Sequence, residues 1–172
     1  MALKTIDFAR TTSPRPRPDE SQLGFGKYFA DHMLLFEYDA ATGWAEPRIV
    51  PYGPLSLDPA ASVLHYGQAM FEGLKAFRQE DGRVALFRVD DNLKRLANGA
   101  PRLSMPVPDL DALREAIVAL VSADRDWVPA RPGTALYIRP VLIGTEAFLG
   151  VRPSSRYLLC VITSPVGAYY QS

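Results

Sequence analysis

The sequence predicts an α+β domain built on a mainly antiparallel sheet with two helices. Three observations carry that prediction. Short β-rich runs joined by turn signals open the chain, two consecutive helical periodicities occupy its middle, and β-rich runs return after them. The chain has 172 residues, which fits one domain with trailing ends, and it contains no internal repeat.

The elements follow in order. Residues 1–22 form a flexible Pro-rich arm, because Pro14, Pro16 and Pro18 forbid a helix and favour an extended, poorly packed segment. The folded part is expected over residues 23–165. HMLLFEYDA, starting at His32, has strand composition, and Ala41-Thr42-Gly43 is turn-like. Residues 44–52 can return as a second strand, and Pro47 and Pro51 put that return near an edge. LSLDPAAS is irregular. The stretch 64–77, LHYGQAMFEGLKAF, is apolar and aromatic but carries His65, Tyr66, Gln68, Glu72 and Lys75, interrupted by Gly67 and Gly73. Each Gly in a helix interior would cost about 1 kcal/mol against Ala, so backbone passing close to something is one reading. A buried hairpin arm with a bulge at Gly73 is the plainer one.

Residues 74–78 have strand character. Gln79-Glu80-Asp81-Gly82 is a hairpin turn, and residues 84–87 pair back. Asp90 is the expected N-cap of the first helix, with Leu93, Leu96, Ala97 and Ala100 on one face, and Pro101 bends or ends it. The second helix, DLDALREAIVALVSA, is capped by Asp109 and buries Leu110, Leu113, Ile117 and Leu120. Residues 135–144 and 157–164 close the chain as strands.

Composition excludes several function classes. Lys plus Arg equals Asp plus Glu at 19 each, so there is no electrostatic footprint for nucleic acid or an anionic membrane. The single Cys160 sits in the apolar run LLCVI. It cannot form an internal disulfide, which favours a reducing compartment. No apolar run reaches the length of a membrane span, and the first twenty residues lack a secretory h-region. The lysines are Lys4, Lys27, Lys75 and Lys94.

The strings LHYGQAMFEGLKAF, LFRVDDNLKRL, LYIRPVLIGTE with LGV, and VITSPVGAYY occur in order, preceded by FGKYFADHMLLFEY and GWAEPRI. From about residue 23 to the end, the chain resembles the N-terminal part of a branched-chain amino-acid aminotransferase. These are pyridoxal-phosphate enzymes of the fold-type IV group. The resemblance implies a small N-terminal domain over residues 23–165 that walls the substrate pocket. Residues 166–172 would start an interdomain linker to a larger cofactor domain not contained in this stretch. That domain carries the Schiff-base lysine, so no catalytic residue is assigned here, and Lys75 is read as structural or solvated.

The resemblance also assigns roles. Arg95 would contact the cofactor phosphate; the alternative is an exposed helix arginine paired with Asp91. Tyr66, Phe71 and Phe25 would wall the substrate pocket, unless they are ordinary core aromatics. Tyr137 and Arg139, two apart in a strand and so on one face, would belong to the pocket, with the arginine managing the side-chain carboxylate of glutamate. Gly73 would permit close approach, and Val151 would reach a neighbouring subunit's site, implying a homodimer. Glu72 and His65 are read as supporting hydrogen-bond partners. The implied activity is transfer of an amino group from leucine, isoleucine or valine to 2-oxoglutarate in branched-chain amino-acid biosynthesis, in the cytoplasm, with pyridoxal 5'-phosphate and no metal. The chain by itself would be inactive. A D-amino-acid aminotransferase, an aminodeoxychorismate lyase relative, or a lysine-free binding module stand as alternatives.

Overall fold

A computed structural model describes residues 6–167. Nine strands form one mixed sheet curled into a half-barrel. They are β1 (Asp7–Phe8), β2 (His32–Asp39), β3 (Gly43–Trp44), β4 (Arg48–Pro51), β5 (Ala69–Phe71), β6 (Leu74–Arg78), β7 (Val84–Leu86), β8 (Ala135–Gly144) and β9 (Arg156–Val166). The order is β1-β4-β2-β9-β8-β6-β7, with β3 on β2 and β5 on β8. Every pairing is antiparallel except β1 with β4. The α+β reading therefore holds.

The helices are α1 (Ser62–Tyr66), α2 (Val89–Gly99) and α3 (Leu110–Ala123). Leu93 and Leu96 of α2, and Leu113, Ile117 and Leu120 of α3, pack on Leu34, Phe36, Leu136, Ile138, Leu142 and Leu159 of the sheet. Each such fully buried aliphatic side chain contributes about 1.5–3 kcal/mol. A second, smaller cluster of Met33, Leu35, Ile143, Leu158 and Cys160 covers the opposite face. Both faces of β2 are thus buried, which is why HMLLF reads as a continuous apolar run instead of alternating.

Local chemistry explains most boundaries. Asp109 caps α3 by accepting from the Ala112 amide at 3.0 Å, as its position predicted. The Asp81-Gly82 turn has Gly82 at φ +79, closing β6 onto β7. The return after β2 is split by Pro47 into β3 and β4, because proline cannot donate to the ladder. From residue 6 onward the Pro-rich arm is docked: Ala9 N–H donates to the Ile49 carbonyl at 2.9 Å, Thr11 N–H to His32 Nε2 at 3.0 Å and Arg15 N–H to Asp31 at 2.8 Å. At the other end Val166 still pairs with Ala135, and residues 168–172 of the expected linker lie outside the described residues.

Two expectations need correction. Asp90 is not the N-cap of α2. That position falls to Arg88, at φ 50, whose carbonyl accepts the Asn92 amide at 3.2 Å. The sharp turn out of β7 sets the start of the helix, leaving Asp90 and Asp91 in its first turn, where they complement the helix dipole. There is also no bulge at Gly73. Phe71 faces Val141 and Leu74 faces Ile138, so two residues oppose two. The ladder breaks there for a different reason. Glu72 N–H donates to the Pro140 carbonyl at 2.9 Å, and Pro140 has no N–H to return the bond.

Candidate active-site wall

Strand β8 organises the site through its pleat. Leu136, Ile138 and Leu142 point into the core beneath the helices. Tyr137, Arg139 and Val141 therefore point to the other face. Across the ladder Lys75 faces Tyr137 and Phe71 faces Val141, so Phe71, Gly73 and Lys75 share that face with Tyr137 and Arg139.

Their side chains converge. Arg139 Nε and Nη2 donate to Tyr137 Oη at 3.1 and 2.8 Å. The same guanidinium lies over the Phe71 ring, 4.4 Å from its centroid, a cation–π arrangement. The Phe25 ring tilts against Tyr137 at 5.0 Å. Gly73 sits under the tyrosine, where a Cβ would collide with its ring and hydroxyl, so only glycine fits this approach. Phe71 is 64% exposed and Phe25 40%. Together they make an aromatic wall with a guanidinium at its edge and the exposed Phe71 ring beside it.

Glu72 points the other way, toward α2, and is buried. It accepts from Arg95 Nε at 2.6 Å, from Arg95 Nη2, and from the Gly73 amide at 2.6 Å. Asn92 adds a third anchor on Arg95 at 3.1 Å. Hydrogen bonding to Glu72, and then its charge, raise the Arg95 pKa still further. The alternative pairing of Arg95 with Asp91 is overturned, since Asp91 takes Arg88 at 2.8 Å. Arg95, Arg88, Lys75, Gly73 and Tyr137 border one cleft of about 340 Å³.

Tyr66, expected in the wall, and Val151, expected to reach a neighbouring subunit's site, stand apart from this cluster. Tyr66 ends α1, and its ring contact is with His65 at 6.2 Å. Among the described residues no ring contact joins it to Phe25, Phe71 or Tyr137. Val151 is 95% exposed in the loop between β8 and β9. That loop is braced by Glu146, which accepts from Arg152 at 2.7 Å and from the Ser155 amide at 2.6 Å. These bonds lower the Glu146 pKa to about 2. His65 bonds to the Pro59 carbonyl at 2.8 Å, so it and Glu72 are hydrogen-bond partners, as read from the sequence. Sequence reasoning missed Asn92 and Glu146, and no local pattern announces either.

No family model matches the chain. Among solved structures, a branched-chain aminotransferase from Thermoproteus uzoniensis with norvaline superposes with a TM-score of 0.65 at 22% identity, covering 81% of this chain and 43% of that one. A T.th. branched-chain amino acid aminotransferase with pyridoxamine 5'-phosphate gives 0.57 at 28%, covering 81% of this chain and 41% of that one. The fold is that of the small domain of fold-type IV enzymes. In sequence, the chain is 52% identical over 167 residues to branched-chain-amino-acid transaminase 1 of Bacillus subtilis (strain 168), covering 97% of this chain and 47% of that protein. It matches the N-terminal portion of branched-chain aminotransferases, and spans about half the length of the curated relatives it matches.

Proposed function

We propose that the complete protein is a branched-chain amino-acid transaminase. It moves the amino group of leucine, isoleucine or valine to 2-oxoglutarate with pyridoxal 5'-phosphate, and this chain supplies one wall of its active site. The observation that carries the reading is the convergence of Phe25, Phe71, Tyr137 and Arg139 over Gly73, beside Arg95.

The residues fit the cofactor's phosphate. Arg95 is exposed at the cleft, and Glu72 and Asn92 engage only its Nε and Nη2, which leaves Nη1 for an anion. The two N–H groups of Nη1 can donate charge-assisted hydrogen bonds to phosphate oxygens. When bound, the cofactor supplies the electron sink for chemistry at the amino acid's α-carbon. The lysine that anchors it lies in the family's larger domain, so this chain alone is inactive.

The wall resolves a conflict between two substrates. Branched side chains need apolar contact, and the exposed Phe71 ring, with Phe25 packed on Tyr137 beside it, supplies apolar surface. A glutamate side-chain carboxylate would be penalised against those rings without a partner. Arg139 sits at their edge, half-buried and tethered only through Tyr137 Oη, so it can meet an anion or lie back on Phe71. Val151, at the apex of the β8–β9 loop, reaches a second copy's site in a homodimer. A cytoplasmic location agrees with the buried, unpaired Cys160, and no helix among the described residues is long and apolar enough to cross a membrane.

The test is an assay of the full-length protein with leucine and with D-alanine as amino donors. The proposal expects transfer from leucine and none from D-alanine. It also expects a visible absorbance band when pyridoxal phosphate is added to the full-length protein, and none for residues 1–172. Transfer from D-alanine alone would move the protein to the D-amino-acid branch of the fold. Binding without turnover would make it a ligand-binding module.

A further inference from the structure

The buried carboxylate between the two halves of the wall has no role in the reading above. Glu72 is 5% exposed and lies at the break between β5 and β6, the one point where Pro140 interrupts the ladder. Its two oxygens carry three contacts. Oε2 accepts from Arg95 Nε; Oε1 accepts from Arg95 Nη2 and from the amide of Gly73. One carboxylate thus ties a helix arginine to the backbone beneath Tyr137. A buried acid beside a phosphate-binding arginine is costly on two counts. It needs desolvation, and it subtracts positive charge from the place where an anion must bind. Simple electrostatics would leave an apolar or neutral residue there.

We infer that Glu72 is a positioning residue: it holds the Arg95 guanidinium in a fixed orientation toward the cofactor phosphate and couples that orientation to Gly73. This inference rests on the proposed role of Arg95. A long exposed side chain loses rotamer freedom when it binds an anion. Arg95, already gripped at Nε and Nη2 by Glu72 and by Asn92 Oδ1, has lost that freedom beforehand, while Nη1 is engaged by no described residue. Pre-organisation of this kind offsets the lost charge. The shared bond to Gly73 N–H places the phosphate contact and the floor under Tyr137 on the same rigid anchor.

The test compares cofactor with and without its phosphate. Dissociation constants for pyridoxal 5'-phosphate and for pyridoxal are measured by fluorescence titration on the full-length protein, and their ratio is the phosphate preference. The expected results are a phosphate preference reduced about tenfold or more in Glu72→Gln, a reduction in Arg95→Ala, and no further reduction in the Glu72→Gln/Arg95→Ala double variant. Arg95→Lys keeps the charge but cannot be gripped at two nitrogens, so it also loses preference. It decides the matter if Glu72→Gln does not fold. Tighter pyridoxal phosphate binding by Glu72→Gln would show a purely electrostatic carboxylate and overturn the inference. So would an unchanged preference in Glu72→Gln or Arg95→Lys, or a drop of equal size with Arg95 already removed. An unchanged preference in Arg95→Ala would instead remove the phosphate role of Arg95 itself, and this inference with it.

Discussion

The Tyr137 side chain occupies the volume that any side chain at Gly73 would need. A Cβ built there falls 2.9 Å from Cζ of the tyrosine and nearer still to its hydroxyl. Gly73→Ala is therefore expected to push the ring aside and break both hydrogen bonds from Arg139. Overpacking of this kind costs about 1–3 kcal/mol. A lowered melting temperature and a shifted Tyr137 in the variant's crystal structure would bear this out; an unshifted ring at wild-type stability would refute it.

The loop between β8 and β9 holds an ion pair that acid should break. Glu146 falls from its ordinary 4.5 to about 2, first through its hydrogen bond with Arg152 and then through the Ser155 amide. Because the folded value lies below the unfolded one, its stabilisation is complete above about pH 4.5 and is lost as pH falls toward 2. Glu146→Gln should flatten the pH dependence of stability across that window and leave its shape above pH 6 unchanged. Urea melts at pH 3 and pH 7 decide it: an equal pH response in the two proteins would show that the ion pair is idle.

Cys160 should be chemically silent in the folded chain. It is buried in the smaller cluster, and burial pushes its thiol up to about 11, so little thiolate forms near neutrality. An aromatic disulfide reagent at pH 8 is expected to release no colour until denaturant is added, then one equivalent. Rapid labelling of the native chain would contradict the packing described above.

His32 and Asp124 join β2 to the end of α3. Asp124 accepts from His32 Nδ1 at 2.7 Å and from its backbone amide at 3.0 Å, and burial raises the carboxyl pKa. His32→Phe would leave the buried carboxyl without its ring partner and cost about 1–3 kcal/mol. It would also take the acceptor from Thr11 N–H. His32→Phe/Asp124→Leu should recover much of the loss. A single variant as stable as wild type, by denaturant midpoint, would refute the assignment.

Much of this architecture is legible in the sequence. Apolar spacing locates α2 and α3, the Asp81-Gly82 pair locates a hairpin, and the run after Thr134 yields β8 to its last residue. The two-residue spacing of Tyr137 and Arg139 already places them on one face. What could not be read depends on distant partners. The left-handed turn at Arg88 follows from how β7 leaves the sheet. The break at Glu72 follows from a proline on another strand. The grip of Glu72 on Arg95 joins residues 23 apart. Local pattern carries no trace of such pairings.

Strand β8 keeps one register with β9 over ten consecutive pairs, from Ala135–Val166 to Gly144–Tyr157. That makes it a ruler whose graduations alternate between the core and the opposite face. Substitutions along it exchange one marking for another. A single inserted or deleted residue would instead turn every marking over, driving Tyr137 and Arg139 into the core and lifting Leu136 and Ile138 onto the open wall. Among descendants of this gene, length along this strand should be held more strictly than residue identity.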